Sequence, residues 1–182
     1  MIPQDELCAL RDGSQCLLRC PGAQDAPAMI AYLRQLSQDT DFMTRCPDEA
    51  AVGREEEEAF LEAARQDPRA GMLCAFADGQ LAGCCSFSAV GLRRKLLHRA
   101  QLGIGVLRPF WGRGIGTLLL GRICAAAGAA GCEQIELEVV DANMRAQRLY
   151  EKNGFSVYGR RPHGFRLDGG GYYDELLMIK ML

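Results

Sequence analysis

The stretch "VLRPFWGRGIGTLLL", residues 106–120, places glycines at 112, 114 and 116 between an apolar run of strand character and an apolar run of helix character. Glycine weakens both kinds of neighbour, so a junction that repeats it points to a need for bare backbone. A strand that ends in a glycine-rich loop at a helix N-terminus presents unpaired N–H groups, and the helix dipole adds partial positive charge. The pattern predicts a site for a phosphate or diphosphate, with Arg113 adding a charge and Thr117 a hydroxyl. Tight strand–helix packing is the plainer use of glycine at such a corner. It does not by itself account for three glycines beside Arg113. Spacing excludes two familiar phosphate loops. A Walker loop needs a lysine, and none is here. The dinucleotide fingerprint GxGxxG also fails, since the sixth position is Thr117 counted from Gly112 and Leu119 counted from Gly114.

Working outward, "QLGIGVL" reads as the strand that feeds the loop, and the helix runs from about 114 to 130. "QIELEVV" (134–140) alternates, with Ile135, Leu137 and Val139 on one face. "NMRAQRLYEKNG" is a helix stopped by Asn153-Gly154. "FSVYGRR" and "YYDELLMIKML" are the last two strands, joined through Gly169, Gly170 and Gly171. Upstream, "CLLRC" (16–20) is read as the first strand, ending at Pro21-Gly22. A helix follows, with Ala26, Met29, Ile30, Leu33 and Leu36 at helical spacing, Asp25 as its cap and Pro27 in its first turn. Residues 40–53 are irregular, and "REEEEAFLEAARQD" is a second helix with Phe60, Leu61 and Ala64 inward. Its run Glu55–Glu58 is a solvated face that suits the helix dipole. "GMLCAFADGQLAGCCSFSAV" is a hairpin turning at Asp78-Gly79, and "GLRRKLLHRA" is an exposed basic connector. The order β-α-α-β-β-β-α-β-α-β-β implies one α/β domain over 1–182 with a mixed sheet.

The 182 residues are 48% apolar and 24% charged with a net charge of -2, which recruits neither nucleic acid nor membrane. No apolar run approaches the ~20 residues of a membrane span, and the N-terminus lacks signal-peptide order. A cytoplasmic location follows as the expectation. Nine cysteines occur without a CxxC pair, and His98 and His163 stand apart from them, so no metal site is expected. The cysteines read as small buried hydrophobes, with Cys84 and Cys85 on opposite sheet faces.

Two long motifs carry a resemblance. "WGRGIGTLLL" resembles the acetyl-CoA loop of the GNAT superfamily of N-acetyltransferases, whose pattern is Q/R-x-x-G-x-G-A/G. Gly114 and Gly116 match, while Trp111 and Thr117 replace the first and seventh residues without removing a backbone donor. "DANMRAQRLYEKNGF" (141–155) is similar to the family's NxxAxxLYxxxGF, with Asn143, Ala146, Leu149, Tyr150, Gly154 and Phe155 in place. The closing strand and the opening helix are also similar, so the likeness covers nearly the whole chain.

The resemblance implies a mostly antiparallel sheet splayed at the fourth and fifth strands after Val106, with helices on both faces. It implies acetyl-CoA as co-substrate. Backbone groups of Ile104, Gly105 and Val106 would bond the pantetheine arm, which recovers hydrogen bonds that the splay leaves unmade. N–H groups of Gly112, Arg113, Gly114, Ile115, Gly116 and Thr117 would hold the diphosphate, and Asn143 the other side of the arm. Tyr150 matches the general acid for the departing thiolate. A neutral primary amine, small or on a protein, would attack the thioester directly, with the Val106 N–H on the oxyanion. Gln101 stands where related sequences often carry a glutamate base, and the base is then one of His98, Asp174, Glu175 or, through water, Glu138. Tyr172, Tyr173 and Asp174 would meet the acceptor, with the first helix and residues 40–53 as the opposite wall. Similar proteins are frequently homodimers. The rival reading, favoured by Gln101, is a CoA-binding sensor or partner module without catalysis.

Overall fold

The computed structural model describes residues 5–46, 48–49, 52–167 and 169–182. Of the irregular stretch expected at 40–53, residues 47, 50 and 51 lie outside the described residues. Eight strands form one sheet: β1 (Glu6–Ala9), β2 (Gln15–Arg19), β3 (Ala70–Ala77), β4 (Gln80–Ala89), β5 (Arg99–Val106), β6 (Gln134–Val140), β7 (Ser156–Arg166) and β8 (Tyr172–Met181). Their spatial order is β1-β2-β3-β4-β5-β6-β8-β7, and β5–β6 is the parallel pair. The expected mixed α/β sheet is therefore present, with one more strand than the sequence pattern suggests.

The added strand is β1. Four residues are too few for a periodic signal; the strand exists because it pairs with β2, Leu7 against Leu17 and Cys8 against Cys16. The turn between them contains Asp12-Gly13, with Gly13 at φ +84°. With β1 counted, the predicted fourth and fifth strands are β5 and β6. They do part, but earlier than Val106. Only Arg99, Ala100 and Gln101 pair with Gln134, Ile135 and Glu136. Beyond Gln101, β5 stays in register with β4 as far as Val106, and β6 with β8 as far as Val140. Each strand follows its antiparallel partner, and the sheet opens between them.

Helices α1 (Ala26–Asp39), α2 (Arg54–Gln66), α3 (Ile115–Ala129) and α4 (Met144–Lys152) cover both faces. A Cβ on Gly105 would press on Leu36 and lie 2.6 Å from the Tyr32 hydroxyl, both on α1. One register step away, a Cβ on Gly83 would lie 3.3 Å from Leu119 of α3. Alternating residues thus meet opposite layers. Helix α3 is buried along Ile115, Leu119, Leu120, Ile123 and Cys124. Cys84 lies opposite Gly105, on the α1 side, and the buried Cys85 points to the α3 side, as the pleat requires.

Two local expectations are corrected. Asp25 does not cap α1 with its side chain; both oxygens hold the Arg19 guanidinium at 2.7 and 2.6 Å, and Oδ2 also accepts the Gly22 N–H. The bidentate arginine turns the carboxylate back toward Arg19 and Gly22 and away from the first turn of α1. Phe60 is 53% exposed, whereas Glu57 and Leu61 are the buried residues of α2. Helix α2 sits at the rim, and its inward stripe is the narrow i, i+4 pair. No helix of the described residues is long and apolar enough to cross a membrane.

Candidate active site

The direction of the β5 backbone groups follows from its ladder. Leu107 N–H donates to the Ala82 carbonyl at 2.9 Å, and Val90 N–H donates to the Arg99 carbonyl at 3.1 Å. Hydrogen-bonded pairs recur at every second residue of an antiparallel ladder. Gly103 and Gly105 therefore bond to Ser86 and Cys84, while Leu102, Ile104 and Val106 turn their N–H and C=O groups into the gap. Ile104 and Val106 offer the free edge that the resemblance asks for. Gly105 does not, because its backbone groups are engaged with β4. It is glycine because α1 leaves no room for a side chain. The Val106 carbonyl already accepts the Trp111 Nε1–H at 2.6 Å, so Val106 brings its N–H to the cleft.

The three loop glycines have two different causes. Gly112 and Gly114 have φ of +82° and +98°, left-handed values that disfavour any side chain. Gly116 lies on α3, where a Cβ would come within 2.9 Å of Leu149 Cδ2 on α4. It is a packing glycine, the plainer reading. The N–H groups from Gly112 to Gly116 find no acceptor among the described residues. Thr117 N–H is different, since it donates to the Gly114 carbonyl at 3.1 Å.

Arg113 does not bring its charge to this corner. Its Nη1 bonds Asp78 Oδ2 at 2.6 Å, its Nη2 bonds Ser14 Oγ at 2.7 Å, and its Nε makes a 2.6 Å ionic contact with Asp12 that lacks hydrogen-bond alignment. The expected side-chain charge is therefore neutralised, and the arginine is a rivet between the loop and two hairpins.

A cleft of about 660 Å³ runs from this loop along the gap. Tyr150, 7% exposed, lies on its wall with its ring edge-on to Phe155 at 5.9 Å. Its hydroxyl has no partner among the described residues, and burial, helped by the nearby Cys85, raises its pKa well above the ordinary phenol value. The group therefore stays protonated at any ordinary pH. Asn143 also lines the cleft; its Oδ1 caps α4 by accepting the Ala146 N–H at 3.2 Å, which leaves the amide N–H groups for another partner.

At the far end, Gln101, Glu138 and Glu175 line the same cleft. Arg161 ties the two glutamates together, with Nη2 on Glu138 at 2.7 Å and Nη1 on the buried Glu175 at 2.6 Å. His98 and Asp174 are not on the cleft wall. Asp174 binds Arg160 at 2.6 Å and the His163 N–H at 2.9 Å; these bonds hold its pKa below the usual range. Tyr172 and Tyr173 are also outside the wall; Tyr172 stacks on His163 at 4.9 Å, and Phe165 of β7 joins Glu175 of β8 on the cleft wall. Among the described residues, no cluster of His, Cys, Asp or Glu is arranged to hold a metal ion.

A parted parallel pair with a glycine loop at a helix N-terminus defines a fold whose sheet gap carries backbone donors suited to a phosphate-bearing ligand. Residues 31–155 match the family model described as acetyltransferase (GNAT) family. The chain belongs to this family of acetyl-CoA-dependent acetyltransferases. It is 32% identical over 116 residues, 64% of this chain and 70% of the relative, to an uncharacterized N-acetyltransferase of Mycobacterium tuberculosis. Among solved structures, a GNAT acetyltransferase of Streptococcus pneumoniae is 31% identical with a TM-score of 0.88, covering 92% of this chain and 99% of that one. The structure of yncA from Salmonella typhimurium with its cofactor acetyl-CoA shares the fold, with TM-score 0.79, 21% identity, and 91% and 92% of the two chains covered.

Sequence reasoning missed three features of the cleft. Arg11, on the unpredicted β1–β2 hairpin, lines it beside Gly114; Arg145 lines it from α4, stacked 4.4 Å from the Trp111 ring. The third is the Arg161 bridge between Glu138 and Glu175. The Asp12-Gly13 turn signal could have revealed the hairpin and with it Arg11. Nothing in the local pattern announces the Arg161 bridge, which depends on cross-strand register.

Proposed function

We propose that the chain is an N-acetyltransferase that moves an acetyl group from acetyl-CoA to a primary amine by direct attack. The observation that carries this reading is the row of unpartnered N–H groups from Gly112 to Gly116 in one cleft with the phenol of Tyr150. The diphosphate binds that row, the pantetheine arm runs along Ile104 and Val106, and Asn143 meets it from α4. The thioester then lies by the Val106 N–H, which stabilises the oxyanion. The amine attacks, the C–S bond breaks, and Tyr150 gives its proton to the leaving sulphur as general acid.

Glu138, exposed on the cleft wall, takes the amine proton through a water. Glu175, buried and held by Arg161, keeps that end of the cleft negative and attracts an ammonium substrate. Gln101, the residue that favours a mere binding module, shares this cleft with two carboxylates, which supports an enzyme.

Thiol release from acetyl-CoA across a panel of small amines and lysine- or N-terminal-amine peptides tests the reading. Turnover with at least one class supports it. CoA binding with no turnover on any amine, up to high pH, would establish the non-catalytic module instead.

A further inference from the structure

We propose that Arg11, on the hairpin between β1 and β2, is a side-chain ligand for the diphosphate of the carrier. The inference rests on the acetyl-CoA reading and adds to it a residue from outside the glycine loop.

The argument begins with charge. A diphosphate brings two negative charges to the loop, and backbone N–H groups supply only partial charge. The loop's own arginine is consumed, since Arg113 sits between Asp12 and Asp78, each 2.6 Å away. Arg11 is in the opposite situation. It is exposed, lines the cleft, and has no acidic partner among the described residues. Its side chain lies across the glycine corner, with Cγ, Nε and Cδ 3.4 to 3.6 Å from where a Cβ on Gly114 would stand.

The hairpin is fixed in that position. Arg11 N–H donates to the Arg113 carbonyl at 3.0 Å, and Leu10 N–H closes the turn on the Ser14 carbonyl at 2.8 Å. Asp12 accepts the Ser14 N–H at 3.1 Å while holding Arg113. The acid that neutralises Arg113 and the base that faces the cleft are thus adjacent residues of one turn. The cleft is polarised in consequence, with Arg11 and Arg145 near the loop and Glu138 and Glu175 at the acceptor end. That suits a ligand with phosphates at one end and an ammonium partner at the other. Arg145, stacked on Trp111, is the second cation but sits on α4 rather than over Gly114.

The test is CoA and dephospho-CoA titration, followed through the fluorescence of the chain's one tryptophan, Trp111, which lines the cleft. Wild type, Arg11→Ala and Arg11→Lys are compared, with thermal melts as a folding check. Arg11→Ala should weaken both ligands equally, by about tenfold to a hundredfold for a charge-assisted bond. It should also flatten the salt dependence of binding, and Arg11→Lys should recover part of the loss. Arg11→Ala affinity within twofold of wild type, with an unchanged melt, overturns the proposal. A loss seen with CoA and absent with dephospho-CoA also overturns it, because the contact is then to the 3′-phosphate. Failure of wild type itself to bind CoA counts against the acetyltransferase reading, a distinct result.

Discussion

Replacing Tyr150 with phenylalanine separates chemistry from packing at one atom. The ring keeps its edge-on contact with Phe155 at 5.9 Å, and the hydroxyl that disappears leaves no protein group unsatisfied. Stability should therefore stay within about 0.5 kcal/mol, roughly 1–2 °C in Tm. Turnover should fall much more. General acid catalysis contributes on the order of 10²–10⁴-fold, and each tenfold is about 1.4 kcal/mol of barrier. The expected kcat loss is at least a hundredfold, with KM for acetyl-CoA changed less than about threefold. The pH profile adds a sign. Burial raises the proton affinity of Tyr150, so wild type keeps this donor through pH 9, and activity should climb as the amine deprotonates. Tyr150→Phe should show the same rise at a lower level. The assay is steady-state thiol release at saturating amine, with melts in parallel. Equal losses in kcat and acetyl-CoA affinity with a lowered Tm would refute the reasoning and make Tyr150 a packing residue. A kcat within threefold of wild type would remove it from the proton transfer altogether.

Gly114→Val should abolish CoA binding, since φ of +98° is strained for a β-branched residue and its Cβ would stand 3.4 Å from Arg11 Cγ; unchanged affinity in a fluorescence titration would show that the loop is wrongly assigned. Glu138→Gln should lower kcat about tenfold to a hundredfold at pH 7 and approach wild type as pH nears the pKa of the amine, a convergence that a purely structural glutamate would not show. Asp25→Asn should cost about 2 kcal/mol at pH 7 by leaving Arg19 without its partner. Asp25 is held below its ordinary pKa by Arg19, so its contribution is present above the unfolded carboxyl value near 4 and fades as pH falls through the folded one. Denaturant unfolding should therefore show the two proteins converging in acid, and a pH-independent gap would refute the linkage.

Much of the site was readable as pattern because its residues are consecutive. The turn at Gly112 and Gly114 depends on local backbone, so it is visible in a string of letters. Asn143 caps α4 through a contact three residues along the chain, a local signal that the pattern reading left unused. Periodicity also placed the inward face of β6, Ile135, Leu137 and Val139, all buried. The failures share a cause. Phe60 turned outward because the width of the buried stripe on α2 depends on what α2 meets. Arg113 turned away because Asp12 and Asp78, distant in sequence, reach it.

The sequence by itself determined the glycine corner, the order of strands and helices after β1, and the family, because each is written in short-range spacing. Tertiary structure decided where the sheet opens, which backbone groups face the opening, why Gly105 and Gly116 lack side chains, and which arginine faces the cleft. Those depend on register between strands and on contacts between layers, and such distances do not exist until the chain has folded.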